Sequence, residues 1–205
     1  MKGRFLTGVT AAGTAFLGAS LASPPGSGRF YGLTGAVAAT WFAGARATGP
    51  VRRGRHDVVQ PVLAGAGAFG VFYAGALVSR RIPPLRRAIA GVLDYAHRGS
   101  TASVVVTTLV TGAAEEVFFR GALYDAAGAR RSTAVYVLST VATRNPALVL
   151  ASAVMGTLFA WQRHRSDGVQ APVLTHVVWS TLMLAFTPRL FASPSADVRN
   201  EPEPS

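Results

Sequence analysis

An uncharged apolar run, Val58–Val78, sets the first constraint on the fold of this chain. About 20 apolar residues are needed for a helix to cross the hydrocarbon core of a bilayer. Because lipid offers a backbone no hydrogen-bond partners, such a run is expected to be helical. The composition agrees: 50% of the 205 residues are hydrophobic and only 14% are charged, against roughly 25% charged in a typical soluble domain. The sequence therefore indicates an integral membrane protein.

Several other segments have the apolar character of membrane helices and are separated by basic or helix-breaking connections. They are Phe5–Ala22, Phe30–Ala45, Thr101–Ala126, Ala147–Gln162 and Val169–Phe186. The first also has the features of a signal peptide, but we favour an uncleaved span because more membrane helices follow. Leu85–His97 is typical of an amphipathic helix at the interface, and Thr133–Thr143 is a short apolar segment. The prediction is an all-α, polytopic helical membrane protein of roughly six to eight helices.

The chain divides into three parts within one membrane unit. Residues 1–84 are predicted to form N-terminal membrane helices. Residues 85–187 are predicted to form a helical core, with a polar site inside the C-terminal bundle. Residues 188–205 are rich in proline, serine and acidic residues, which predicts a disordered tail.

The distribution of charge indicates which kind of partner this chain contacts. The net charge is +11, but the arginines occur in short clusters between apolar runs, as in helical membrane proteins. This pattern favours the lipid bilayer as the partner and argues against nucleic acid. The chain has no cysteine, which excludes a disulfide framework and a thiol nucleophile.

Two adjacent carboxylates, Glu115 and Glu116, interrupt an apolar helix. Glu116 and Arg120 are four positions apart and share a helix face, with the acid before the base as is favoured. Glu115 points about 100° away from its neighbour, so Arg120 cannot neutralise both carboxylates equally. An unpaired ionisable group at membrane depth costs roughly 2.5 kcal/mol or more and is a candidate functional group. A Glu–Arg pair that only joins helices is the alternative, and the second glutamate argues against it.

The last apolar helix carries a second polar group, in which His176 and Ser180 are also four positions apart. Such residues commonly hydrogen-bond neighbouring membrane helices, so a structural role is an alternative here too. If this helix faces the acidic helix, the imidazole of His176 and a glutamate carboxylate can together hold and deprotonate a water, directly or through a divalent metal. His176 or Ser180 could then stabilise an oxyanion. The set is suited to amide hydrolysis inside a membrane.

These residues resemble the CAAX-protease and bacteriocin-processing family of membrane proteins, known as CPBP. Residues 115–120, Glu-Glu-Val-Phe-Phe-Arg, fit its EExxxR signature, and residues 168–176 look like its last motif. The resemblance covers roughly 85–186. It implies an intramembrane endopeptidase that acts on a membrane protein or peptide, with the bacterial cytoplasmic membrane as the expected location.

The resemblance also implies roles for individual residues. Glu115 would be the catalytic glutamate, with Glu116 and Arg120 as its supporting pair. His176 would lie on the oxyanion side together with Ser180, or would bind a divalent metal such as zinc together with Glu115.

Two departures from the family pattern bear on activity. The histidine expected in the middle motif falls on Thr140, four positions after Tyr136, and Ser180 stands where asparagine is usual. Serine still donates a hydrogen bond, but threonine cannot replace imidazole as a base or a metal ligand. We therefore weigh the endopeptidase against a catalytically impaired relative that acts as a membrane interaction or scaffold protein. A proton-relay transporter is less favoured, because no second intramembrane acid lies on another span.

Overall fold

The computed structural model describes residues 2–98 and 100–191, which are helical apart from short connections. Seven helical stretches lie within these residues: α1 (Lys2–Leu21), α2 (Gly28–Thr48), α3 (Val59–Ser79), α4 (Pro83–His97), α5 (Thr101–Val141), α6 (Pro146–Ser166) and α7 (Gln170–Phe191). The predictions of an all-α fold and of six to eight helices are confirmed.

Helices α3, α5 and α7 have the length and apolar composition of membrane spans. Helices α1, α2 and α6 have 20, 21 and 21 residues but are less apolar or more charged. On α3 the side chains of Val59, Leu63, Val71 and Val78 are more than half exposed. An apolar surface of this extent suits contact with lipid tails.

Helix α5 folds back on itself at Gly128. This glycine has φ 81° and ψ 169°, a conformation that is essentially restricted to glycine. A straight helix would separate Glu115 and Tyr136 by about 30 Å, whereas the Tyr136 hydroxyl lies 3.1 Å from Glu115 Oε2. Residues 101–127 and 129–141 are therefore the two arms of a helical hairpin. Both arms were predicted from the sequence as separate apolar segments.

The N-terminal helices pack directly on residues 101–127 of α5, the arm of the hairpin that carries both glutamates and is called the acidic arm below. Trp41 of α2 stacks on Phe118 with ring centroids 4.8 Å apart and meets Phe119 edge-on at 5.0 Å. On α1, Gly13 leaves space for the Trp41 ring, which a methyl group at that position would overlap. The close pairing of α1 with α2 thus supports a buried aromatic cluster beside the two glutamates.

A chain of polar contacts fixes α7 against α3 and α6. The Thr175 hydroxyl donates to the Pro61 carbonyl at 2.9 Å and accepts from Gln162 Nε2 at 2.8 Å. A Cβ at Gly65 of α3 would lie 2.9 Å from the Thr175 carbonyl oxygen, so a glycine is needed for this approach. These contacts hold the first turns of α7, one residue before His176.

The structure corrects one boundary of the sequence analysis. Helix α7 continues to Phe191, so the prediction of a disordered tail is wrong for residues 188–191. Pro188 removes one backbone hydrogen bond, but its fixed φ is compatible with a helix, and the buried Thr187 anchors the last turns. The remainder of the predicted tail, 192–205, lies outside the described residues.

Replacing Gly128 with alanine should weaken the hairpin of α5. A side chain is strained at this φ and ψ, so we expect a loss of roughly 1–3 kcal/mol in the free energy of unfolding. The thermal unfolding midpoint of purified protein in detergent would measure it. Gly67→Ala on α3 is the control, because its helical backbone and open surroundings accept a methyl group. Equal midpoints for the two variants would contradict the role of Gly128.

Candidate functional site

A buried ionic cluster forms where α5, α6 and α7 meet. Arg120 lies against Glu116, as their spacing predicts, with Nε 3.3 Å from Oε2 and Nη1 3.5 Å from Oε1. His176 Nδ1 lies 3.0 Å from Glu116 Oε1. Glu116 and Arg120 are both 0% exposed. The Glu116 carboxylate is thus shared between two cationic or hydrogen-donating partners.

The guanidinium of Arg120 has further partners on two other segments. Its Nη2 donates to the Gly156 carbonyl of α6 at 3.1 Å. Its Cζ lies 4.2 Å from the centre of the Tyr136 ring and 5.2 Å from that of Phe159. Cation–π contacts of this kind are strongest when they are desolvated, so they help to offset the burial of the charge.

Glu115 has a different environment from Glu116. It is only partly buried, and its Oε2 accepts a hydrogen bond from the Tyr136 hydroxyl at 3.1 Å. It forms no ion pair within the described residues, and its Oε1 has no hydrogen-bond partner there. The expectation that Arg120 serves one carboxylate and leaves the other is thereby met, while the tyrosine contact was not foreseen.

His176 is held over the acidic arm by aromatic and glycine contacts. Its ring stacks on Phe159 with centroids 5.0 Å apart and planes 16° apart. A Cβ at Gly112 would lie 3.0 Å from His176 Nε2, so the ring lies against a bare stretch of α5. Ser180 is buried one turn further along α7, and its hydroxyl has no hydrogen-bond partner among the described residues.

Residues Glu116–Leu123 form a π-helical segment, whereas the sequence predicted a regular α-helix. Two of its carbonyl groups find partners outside the segment. The Ser132 hydroxyl donates to the Phe119 carbonyl, and Arg163 Nε donates to the Arg120 carbonyl at 2.8 Å. π-helical turns are rare and occur frequently at functional sites. No local residue pattern predicts this π-helical segment, because the hydrogen-bond donors that stabilise it, Ser132 and Arg163, are distant in the chain.

Arg163 is a second buried arginine that the sequence analysis did not identify. It is 3% exposed, and it pairs with Asp125 at 2.7 Å and with Asp167 at 3.3 Å. The i, i+4 spacing of Arg163 and Asp167 is the sequence feature from which their ion pair could have been predicted. Through its bond to the Arg120 carbonyl, Arg163 connects the ionic cluster to the end of the bundle.

Residues 97–182 match the family described as Type II CAAX prenyl endopeptidase Rce1-like. This segment is an Rce1-like domain. The match confirms the CPBP resemblance and contains every residue of the ionic cluster. No curated protein and no solved structure matches the chain.

Within the Rce1-like domain, Thr140 stands where the sequence comparison placed a histidine. Thr140 is buried, and its hydroxyl donates to the carbonyl of Tyr136 at 3.0 Å. That bond is local to the second arm of α5, so this hydroxyl is not directed at either glutamate by a hydrogen bond. The partner of Glu115 is instead Tyr136, the aromatic residue of the same motif.

The three side chains that could ligate a metal are close together. Single ligand atoms of Glu115, Glu116 and His176 lie within 4.8 Å of one another, and carboxylate and imidazole groups are common ligands of catalytic zinc. Several of these ligand atoms already contact other groups of the protein. Arg120 and His176 occupy the Glu116 carboxylate, and His176 Nε2 lies against α5 at Gly112. Glu115, Glu116 and His176 are therefore a possible metal-binding group, in which an ion would compete with Arg120 for the Glu116 carboxylate.

Replacing Arg120 with methionine should strongly destabilise the protein. Removing one partner from a buried ion pair leaves an uncompensated charge and costs about 3–5 kcal/mol. Folded protein recovered from membranes, measured by size-exclusion chromatography in detergent, should fall sharply. Arg131→Met, which removes an exposed arginine from the same helix, should give a near-normal yield. Equal yields from both variants would show that the cluster contributes little to stability.

Proposed function

We propose that this chain is an intramembrane endopeptidase of the CPBP type. It hydrolyses a peptide bond of a membrane-associated protein or peptide with a water activated by Glu115. The observation that carries the proposal is the contrast between the two glutamates. Glu116 is enclosed by Arg120 and His176, whereas Glu115 is partly exposed and has one carboxylate oxygen without a partner in the described residues.

Glu115 can act first as a base and then as an acid. Its free oxygen accepts a proton from a water while the water oxygen bonds to the carbonyl carbon of the substrate. The tetrahedral intermediate then collapses, the carbon–nitrogen bond breaks, and Glu115 returns the proton to the leaving amine. The Tyr136 hydroxyl bonds the other carboxylate oxygen, which fixes the orientation of the carboxylate through both steps.

The oxyanion requires donors near Glu115, and α7 supplies two candidates. Ser180 is buried one turn beyond His176, and its hydroxyl can donate in any protonation state of the site. If His176 donates through Nδ1 to Glu116, its Nε2 can donate only when the ring is doubly protonated. Ser180 is therefore the candidate donor that does not depend on the protonation of His176. A donor of this kind stabilises the charge that develops as water attacks.

The apolar surface of the helices supports the proposal that the substrate reaches the site from the lipid bilayer. The apolar helices α3, α5 and α7 have the character of membrane spans, and the Rce1-like family implies membrane peptide substrates. A prenyl group on the substrate does not follow from these residues. The bacterial cytoplasmic membrane stays a prediction from the sequence.

A second candidate function is a catalytically impaired relative that binds membrane proteins. The observation that favours it is Thr140, whose hydroxyl bonds a backbone carbonyl of its own helix. The ionic cluster would then act only as a structural joint between helices, and Glu115 would be dispensable.

Replacing Glu115 with glutamine should abolish cleavage, because an amide cannot accept the proton of the attacking water. The measurement is a comparison of membrane-protein termini in cells that express wild type or Glu115→Gln at matched abundance. New peptide ends present only with wild type are expected, and they would identify substrates. Identical termini, with the variant folded normally, would instead support the non-catalytic function.

Replacing Tyr136 with phenylalanine should lower the single-turnover rate of cleavage by about tenfold or more, since a hydrogen bond to a charged group contributes roughly 1.5–3 kcal/mol. The ring that faces Arg120 is retained, so the yield of folded protein should change little. Cleavage of a substrate identified from the termini would be followed under single-turnover conditions. Thr140→Val is the matched control, because it removes only a local hydroxyl. A loss in Thr140→Val equal to that in Tyr136→Phe would contradict the role given to Tyr136.

A further inference from the structure

A cavity distant in sequence from the glutamates opens where α3 and α7 begin and α6 ends. Its volume is about 360 Å³. Its lining combines two arginines, a tryptophan and a buried glutamine: Arg55, Arg165, Trp161 and Gln162. None of these residues belongs to the ionic cluster or to the proposed peptidase chemistry.

The cavity lies at the level where apolar helices give way to polar connections. The loop before α3 is fixed to the turn between α6 and α7 by backbone hydrogen bonds. Arg55 N–H donates to the Ser166 carbonyl at 2.9 Å, and Gln170 N–H donates to the Arg53 carbonyl at 3.0 Å. Because α3 and α7, which have the length and apolar composition of membrane spans, both begin here, the phospholipid headgroups of a surrounding bilayer would lie at this depth.

The cavity presents positive charge. Arg55 and Arg165 form no ion pair within residues 2–98 and 100–191, and Arg165 lies over the Trp161 ring at 5.5 Å. The lining also includes the carboxylate of Asp57, whose Oδ1 accepts from the backbone N–H groups of Val59 and Gln60 at 3.1 and 3.3 Å, so the two arginines leave the lining with a net positive charge. Two arginines are thus available to an anion.

Gln162, which also lines the cavity, adds a buried hydrogen-bond acceptor. It is 1% exposed, and its orientation is determined by Thr175. The Thr175 hydroxyl donates to Pro61, so it must accept from Gln162, and this contact uses the amide nitrogen. Gln162 Oε1 is left without a partner in the described part of the chain. A buried acceptor of this kind is costly unless a donor reaches it.

We propose that this cavity binds the headgroup of an anionic glycerophospholipid. The phosphate lies between Arg55 and Arg165, and a headgroup hydroxyl donates to Gln162 Oε1. The acyl chains run along the exposed apolar surface of α3, with Trp161 at the level of the glycerol. The site is independent of the proposed peptidase activity.

Native mass spectrometry of the full chain in detergent can test this site. Phosphatidylglycerol and phosphatidylcholine with the same acyl chains are titrated separately into wild type. The double variant Arg55→Gln/Arg165→Gln is compared with Arg80→Gln/Arg81→Gln, which removes the same charge from exposed residues at the other end of α3. We expect wild type and the control to retain phosphatidylglycerol in preference to phosphatidylcholine. The cavity variant should bind phosphatidylglycerol about tenfold more weakly.

Three results would overturn the proposal. Equal retention of the two lipids by wild type would show that the site does not select an anionic headgroup. Equal loss in both double variants would show that net charge, and not this cavity, governs binding. Displacement of phosphatidylglycerol by an equal concentration of glycerol 3-phosphate would identify a site for a soluble phosphate ester instead of a lipid.

Discussion

The carboxylate of Glu116 is fully buried in a bundle of apolar helices, and it is stable as an ion only if partners surround it. Arg120 from the same helix and His176 from α7 provide them. Arg120 in turn requires the Gly156 carbonyl and the rings of Tyr136 and Phe159. Three segments of the C-terminal bundle are therefore held together by the neutralisation of one charge.

This arrangement separates two adjacent glutamates by environment. Because Glu116 takes the cation, Glu115 is left with a neutral tyrosine partner and a partly exposed position. The ionic cluster thus supports the bundle, and the adjacent Glu115 keeps one carboxylate oxygen without a hydrogen-bond partner in the described residues. Pairs of carboxylates with unlike surroundings are a common basis for acid–base catalysis.

One motif of the Rce1-like domain departs from the family pattern at Thr140. Thr140 cannot supply an imidazole, and its hydroxyl bonds its own helix. The hairpin at Gly128 instead brings Tyr136 of the same motif to Glu115. Glu115 therefore has a partner that donates a hydrogen bond to it, but the motif supplies no imidazole that could act as a base or a metal ligand. The proposed peptidase accordingly depends on Glu115 alone for proton transfer.

The sequence by itself determined the helical membrane class, the pairing of Glu116 with Arg120 and the shared face of His176 and Ser180. These follow from local periodicity and from the exclusion of unpaired charge from lipid. Only the tertiary structure decided that Tyr136 bonds Glu115, that Arg163 and Ser132 support a π-helical segment, and that Gly112 and Gly156 admit His176 and Arg120. These contacts join residues separated along the chain by 13 to 64 positions. Their partners are selected by the path of the backbone at Gly128 and by helix packing, which no local pattern encodes.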